Sequence, residues 1–144
     1  MKDDNYLDVF DDQQKAIDHA MWLKFKYRIA GIVFGVIHGP ENNWAVCEEA
    51  TAQDMELPFL GILPKDYSQM SYDMIRHIRM DRDSLPFWDA IIGMFSVADG
   101  EILRFIIHTK LPLERLIRHE LAGRGYDENH RWCGFDKASE IWLK

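Results

Sequence analysis

The spacing of apolar residues changes near residue 68 of this 144-residue chain. Before that point, short apolar runs of strand length are separated by glycine, asparagine and proline. After it, apolar residues recur every three or four positions, as on one face of a helix. This change predicts an α+β fold: an N-terminal helix and a β-hairpin, which a third strand can extend, followed by a helical C-terminal half of about five helices.

The first helix is predicted to begin after Asp11 and Asp12. Ala16 and Ala20 recur at helical spacing, and aspartate is a favourable N-cap residue. Its end is ambiguous, because residues 24–29 alternate between basic and apolar side chains as a strand does. The pattern leaves helix and strand open over those six positions.

A β-hairpin is predicted to follow. Residues 32–37 (IVFGVI) are rich in β-branched side chains, residues 44–48 (WAVCE) can return beside them, and the intervening GPENN has turn composition. Residues 51–68 contain two prolines and a glycine, so we expect an irregular connection there.

Residues that favour a helix N-terminus precede three of the predicted C-terminal helices. They are Ser84 with Pro86 in the first turn, Ser96 with Asp99 in capping-box spacing, and Asp136 before the last apolar run. The helix after Ser96 has apolar residues over more than half of its circumference, so we expect it to be central.

Length and composition predict one domain over residues 1–144, with residues 1–10 as a mobile acidic leader. The net charge is −7, and residues 1–60 hold 11 acidic against 5 basic side chains. This excess repels phosphate backbones and argues against a general nucleic-acid binder. The chain shows no signal peptide and no apolar run of membrane-spanning length, and its two cysteines are far apart, so we expect a cytoplasmic protein with free thiols.

Residues 118–135 (RHELAGRGYDENHRWCGF) hold the densest set of chemically able side chains: His119, Glu120, Asp127, His130 and Cys133. Their spacing matches neither a zinc motif nor an EF-hand loop, and the glycines suit a helix end and a turn. No nucleotide-binding or catalytic motif occurs elsewhere. We therefore expect no metal, no cofactor and no catalytic residue.

Glu120 falls in the middle of the apolar face of its helix. A buried carboxylate needs a partner, so we expect it to pair with Arg104 or Arg124. The alternative is an acid with a raised pKa, which would make the chain a small enzyme with Glu120 or the 126–133 loop at its site.

Apolar side chains lie between aspartates in residues 3–12 (DDNYLDVFDD), and such a segment can dock on a basic surface of a partner protein. The candidate partner-binding residues are Asp3, Asp4, Tyr6, Asp8, Phe10, Asp11 and Asp12. The alternative is a solubilising arm that helps to cap the first helix.

A nucleic-acid site is the second hypothesis, since two helices carry arginines on their outer sides and aromatic residues lie nearby. Its candidate residues are Arg76, Arg79, Arg115, Arg118, His119, Tyr126 and Trp132. Interleaved carboxylates argue for local ion pairs instead.

The hypothesis favoured by the sequence is therefore a small acidic accessory protein that acts by protein–protein binding. It would inhibit or regulate a partner with a basic surface, such as a protein that handles nucleic acid, in the manner of inhibitors from phages and mobile elements. A nucleic-acid-associated module and a small enzyme are the alternatives, and no membrane partner is expected.

Overall fold

The computed structural model describes residues 8–144, which form three strands and seven α-helices. In chain order these are β1 (Asp8–Phe10), α1 (Gln13–Lys26), β2 (Phe34–His38), β3 (Trp44–Glu48), α2 (Glu49–Asp54), α3 (Tyr72–Met80), α4 (Pro86–Ser96), α5 (Gly100–Thr109), α6 (Leu113–Arg124) and α7 (Phe135–Trp142). The predicted α+β fold, with an N-terminal helix, a hairpin and five helices in the C-terminal half, is confirmed.

The strands form one antiparallel sheet in the order β1-β3-β2. β2 and β3 are the predicted hairpin, with Val36 opposite Val46. A 3₁₀ turn over Pro40–Asn42 joins them, and Glu41 and Asn42 adopt positive φ within it.

The third strand comes from the leader. β1 pairs with β3, with Asp8 opposite Val46, so the last three residues of the predicted leader belong to the sheet. Burial favours this pairing, because the Phe10 side chain packs against the hydrophobic core.

Residues 24–29 do not form a strand: they comprise the end of α1, its C-cap Tyr27 and the start of a 3₁₀ turn. α1 begins after Asp12, whose carboxylate accepts a hydrogen bond from the Gln14 amide, and it runs to Lys26. A 3₁₀ turn over Arg28–Ala30 follows, and Gly31 ends it in the left-handed conformation with φ of 67°.

Alanines on α1 let the helix approach the sheet closely. Ala16 and Ala20 are fully buried and pack against Phe34, Val36 and Val46. Because alanine has a small side chain, the helix backbone can lie close to the sheet, and close packing favours dispersion contacts in the core.

One carboxylate is buried beside this core. Asp18 on α1 is 3% exposed, and its oxygens accept hydrogen bonds from Gln14 Nε2 (3.0 Å), the Tyr67 hydroxyl (2.9 Å) and Trp88 Nε1 (3.2 Å). Burial raises the pKa of Asp18, and the three donors oppose that rise. The carboxylate thereby joins α1, the segment around Tyr67 and α4.

Two compact units divide the described chain, one ending at Gly93 and the other spanning Met94–Lys144. In the second unit, α6 and α7 pack together and bury Ala122 and Ala138. The single domain over residues 1–144 stays a prediction.

The structure corrects the prediction that the helix after Ser96 is central. α5 has no buried residue, and Phe105 and Ile107 on it are 57% and 79% exposed. The apolar periodicity identified the apolar residues of α5, but only Leu103 and Ile106 among them are partly buried.

Local corrections concern the caps and the irregular connection. Asp99 itself is the N-cap of α5 and accepts from the Glu101 amide, so the capping box from Ser96 is wrong. Gly134 rather than Asp136 is the N-cap of α7. Part of the predicted irregular connection is helical, because α2 extends to Asp54 with Ala52 buried.

Removing the Asp18 carboxylate tests its structural role. Asp18→Ala is expected to lower the free energy of unfolding by about 2–4 kcal/mol, because it leaves buried donors without an acceptor. Asp11→Ala, a matched change of an exposed aspartate, is expected to stay within about 0.5 kcal/mol of the wild type. Urea unfolding measures both, and equal losses would contradict the role given to Asp18.

Asp18 also predicts a pH dependence. Its pKa is higher in the folded chain than in the unfolded chain, so its contribution to stability is greatest at acidic pH and is lost as the pH rises through the folded-state pKa. The opposite holds for Asp81, whose pKa Lys15 lowers through a hydrogen bond. The stability advantage of the wild type over Asp18→Asn is therefore expected to be larger at about pH 5 than at about pH 8. A reversed order in urea unfolding at the two pH values would refute the assignment.

Candidate functional site

The loop between α6 and α7 is closed by backbone hydrogen bonds. Gly125 ends α6 in the left-handed conformation with φ of 77°. Its carbonyl accepts hydrogen bonds from the amides of Cys133 (3.0 Å) and Gly134 (3.1 Å), while Tyr126 and Trp132 form an antiparallel bridge. The two ends of the loop are thus held side by side.

Asp127 fixes the turn at the tip. Its Oδ1 accepts from the amides of Asn129 and Arg131, each at 2.9 Å, and its own amide donates to the Arg131 carbonyl at 2.9 Å. A short polar side chain that satisfies nearby amides is what stabilises a tight turn. The carboxylate considered as a metal ligand in the sequence therefore has a structural partner set of its own.

Three ring side chains of this loop and one from the first residue of α7 form an aromatic knob: Tyr126, His130, Trp132 and Phe135. The rings of Tyr126 and His130 stack at 5.0 Å between centroids. Trp132 contacts Tyr126 and Phe135 edge to face at 5.6 and 5.4 Å. Trp132 and Phe135 are each 60% exposed, although their neighbours hold them in place.

Hydrogen bonds connect helix α7 to the loop that carries the knob. Trp142 Nε1 donates to the Tyr126 carbonyl at 2.9 Å. Arg118 on α6 donates through Nε to the Trp142 carbonyl at 2.7 Å, and its guanidinium lies over the Trp142 ring at 5.6 Å. Arg118 thus satisfies the C-terminal carbonyls of α7, where a cation is favourable.

The structure brings together only part of the nucleic-acid set. Tyr126 and Trp132 are neighbours, and Arg115 and His119 are exposed on α6. Arg76 and Arg79 lie on α3 in the other compact unit. Arg76 pairs with Asp73 at 3.0 Å, as the interleaved charges predict.

The described residues of the acidic set have local roles. Asp8 Oδ2 lies 2.7 Å from His19 Nε2, Phe10 packs on the core, and Asp12 caps α1. Asp11 is exposed. Asp3, Asp4 and Tyr6 lie outside the described residues, so their assignment to partner binding stays a prediction.

Glu120 is not buried. Its side chain is 65% exposed, and it pairs with Arg124, one of the two expected partners, at 2.8 Å. The prediction of a buried carboxylate is wrong because α6 packs on α7 through another face, which leaves Leu116 and Ile117 more than half exposed. An exposed ion pair of this kind contributes little to stability.

Cys133 in the loop is a free thiol. Desolvation and the carboxylate of Asp127 raise the pKa of the Cys133 thiol, so the thiolate is disfavoured at neutral pH. Among residues 8–144, no group of three or more His, Cys, Asp or Glu side chains is placed to hold a metal ion.

Tyr126 and Trp132 were predicted as site residues from the sequence, whereas Phe135 and the packing role of His130 were not. The available signal was the recurrence of rings at 126, 130 and 132, between Gly125 and Gly134, with a further ring at 135 directly after the second glycine. Exposed aromatic residues on an ordered loop are typical of binding sites rather than of cores.

No protein-family model matches the chain, and no curated protein or solved structure is significantly similar to it. None of the helices within residues 8–144 has the length and apolar content needed to cross a bilayer.

Gly123 and Gly125, which lie two positions apart in the sequence, test the rigidity of the loop. A Cβ at Gly125 would lie 2.5 Å from the Trp132 ring and would require an unfavourable φ, so Gly125→Ala is expected to cost about 2–4 kcal/mol of unfolding free energy. Gly123 is inside α6 and a Cβ there meets nothing within 4 Å, so Gly123→Ala is expected to stabilise by about 0.5–1 kcal/mol. Equal stability of the two variants in urea would contradict the constrained loop.

Proposed function

We propose that this chain is a small accessory protein that acts by binding another protein, with the aromatic knob as its anchor. The observation that carries the proposal is the knob itself: large rings, more than half exposed at Trp132 and Phe135, held by a closed loop and by α7. Binding hot spots are enriched in tryptophan and tyrosine, and a pre-ordered loop loses little conformational entropy on association.

Charge favours a protein partner over nucleic acid at this site. Residues 94–144 hold 8 acidic and 8 basic side chains, and the loop itself carries Asp127 and Glu128 against one arginine, Arg131. A site for a phosphate backbone needs a local excess of cations. Arg118, one of the candidate phosphate ligands, is bound to the carbonyls at the end of α7.

The other unit supplies electrostatic steering in this proposal. Residues 1–93 hold 16 acidic and 9 basic side chains, so they carry the whole net charge of −7. A partner with a basic surface is attracted by this field, which raises the association rate more than the affinity. Proteins that handle nucleic acid have such surfaces, so we propose that the partner is one of them. This chain would act as its inhibitor or regulator in the cytoplasm.

The double substitution Trp132→Ala/Phe135→Ala tests the anchor. A partner captured from extract of the source cells by the wild type is expected to bind this variant at least about tenfold more weakly, because rigid aromatic anchors dominate interface energetics. Tyr72→Ala is the matched control, since Tyr72 is 91% exposed and belongs to the other unit. Biolayer interferometry gives the dissociation constants, and circular dichroism verifies that each variant is folded.

Two outcomes would overturn the proposal. One is a partner that binds the double variant and the wild type equally well. The other is tight binding of a single-stranded oligonucleotide that Trp132→Ala abolishes, which would assign the knob to base stacking instead.

A further inference from the structure

An apolar groove opens on the first unit, remote in sequence from the aromatic knob. Its volume is about 630 Å³. The walls come from the second half of α1, the segment 64–70 and the first half of α4. We define the apolar groove by Met21, Trp22, Phe25, Met70, Phe87 and Ile91.

The floor of the apolar groove is aromatic and accessible. Trp22 stacks on Phe87 with centroids 5.2 Å apart and ring planes 12° apart, and Phe25 extends the surface at 6.2 Å from Trp22. Trp22, Phe25 and Ile91 are 39%, 57% and 41% exposed. An exposed contiguous apolar surface of this kind on a folded unit marks an interaction site.

The rim of the apolar groove reverses the charge of its unit. Lys24, Arg28 and Lys65 line it together with one acid, Asp66. The Asp66 carboxylate accepts hydrogen bonds from the amide and the hydroxyl of Ser68. The Arg28 guanidinium lies over the Phe25 ring at 4.2 Å. Residues 1–93 are strongly acidic as a whole, so a net positive rim here is a local feature that selects an acidic occupant.

We propose that the apolar groove binds a segment of a partner protein in which large apolar side chains are flanked by aspartate or glutamate. The apolar side chains would insert between Trp22, Phe25 and Ile91, and the flanking carboxylates would meet Lys24 and Lys65. A groove of this size accommodates a few large side chains, as in recognition of amphipathic helices. Two methionines in the wall let the surface adapt to the shape of the insert. This site is independent of the aromatic knob.

Selection from a displayed library of random 16-residue peptides against the full-length chain tests this site. The enriched peptides are expected to combine leucine or aromatic residues with several carboxylates. The affinity of a selected peptide, measured by fluorescence anisotropy, is expected to fall as salt is added, because rim contacts between opposite charges are screened.

Charge reversal at the rim makes the test specific. Lys24→Glu/Lys65→Glu is expected to weaken the selected peptide about tenfold. Lys26→Glu is the matched control, since Lys26 is exposed on the same helix but does not line the apolar groove. Trp132→Ala is expected to leave peptide affinity unchanged, so a failure of the proposal at the knob does not affect this result.

Several results would overturn the proposal. They are the enrichment of no peptide family, the enrichment of basic peptides, and equal affinity of the selected peptide for wild type and Lys24→Glu/Lys65→Glu. Full displacement of the peptide by dodecanoate at lower concentration than the peptide itself would assign the apolar groove to a small amphipathic carboxylate instead.

Discussion

The first unit depends on one buried carboxylate. Asp18 accepts hydrogen bonds from donors on α1, on the segment 64–70 and on α4, and these three elements are the walls of the apolar groove. A buried carboxylate is unfavourable unless donors surround it, so the cost of its burial is recovered only when all three walls are in place. The hydrogen bonds to Asp18 that hold the unit together therefore also define the shape of the apolar groove in the free protein.

The second unit uses a different device for the same purpose. Its ordering element is the turn from Gly125 to Gly134, in which one carbonyl accepts two amides and Asp127 fixes the tip. The rings of Trp132 and Phe135 are exposed, and the hydrogen bonds of the turn restrict the backbone that carries Trp132. Both units thus present ordered aromatic surfaces. Among residues 8–144, no three His, Cys, Asp or Glu side chains are placed to hold a metal ion.

Local signals predicted the elements well. β-Branched side chains and turn composition identified β2 and β3, and Asp12 marked the start of α1. The role of an apolar face was harder to predict, because periodicity shows that a face is apolar but not what covers it. α5 was expected to lie in a core, but it has no buried residue. Glu120 was expected to be buried because it lies on the apolar face of its helix, but its side chain is exposed. Part of the aromatic knob could be predicted from the sequence because its rings are close together along the chain. The apolar groove could not be predicted, because Trp22, Met70 and Phe87 come together only in the tertiary fold.

Amide hydrogen exchange of the free protein tests most directly the claim that the knob is ordered before binding. The amides of Arg131, Cys133 and Gly134 donate hydrogen bonds that close the loop, so they are expected to be protected to an extent comparable with the amides within α6. Exchange of these amides at the rate of an unstructured peptide, while α6 stays protected, would contradict the account, because the rings would then have to be ordered by the partner.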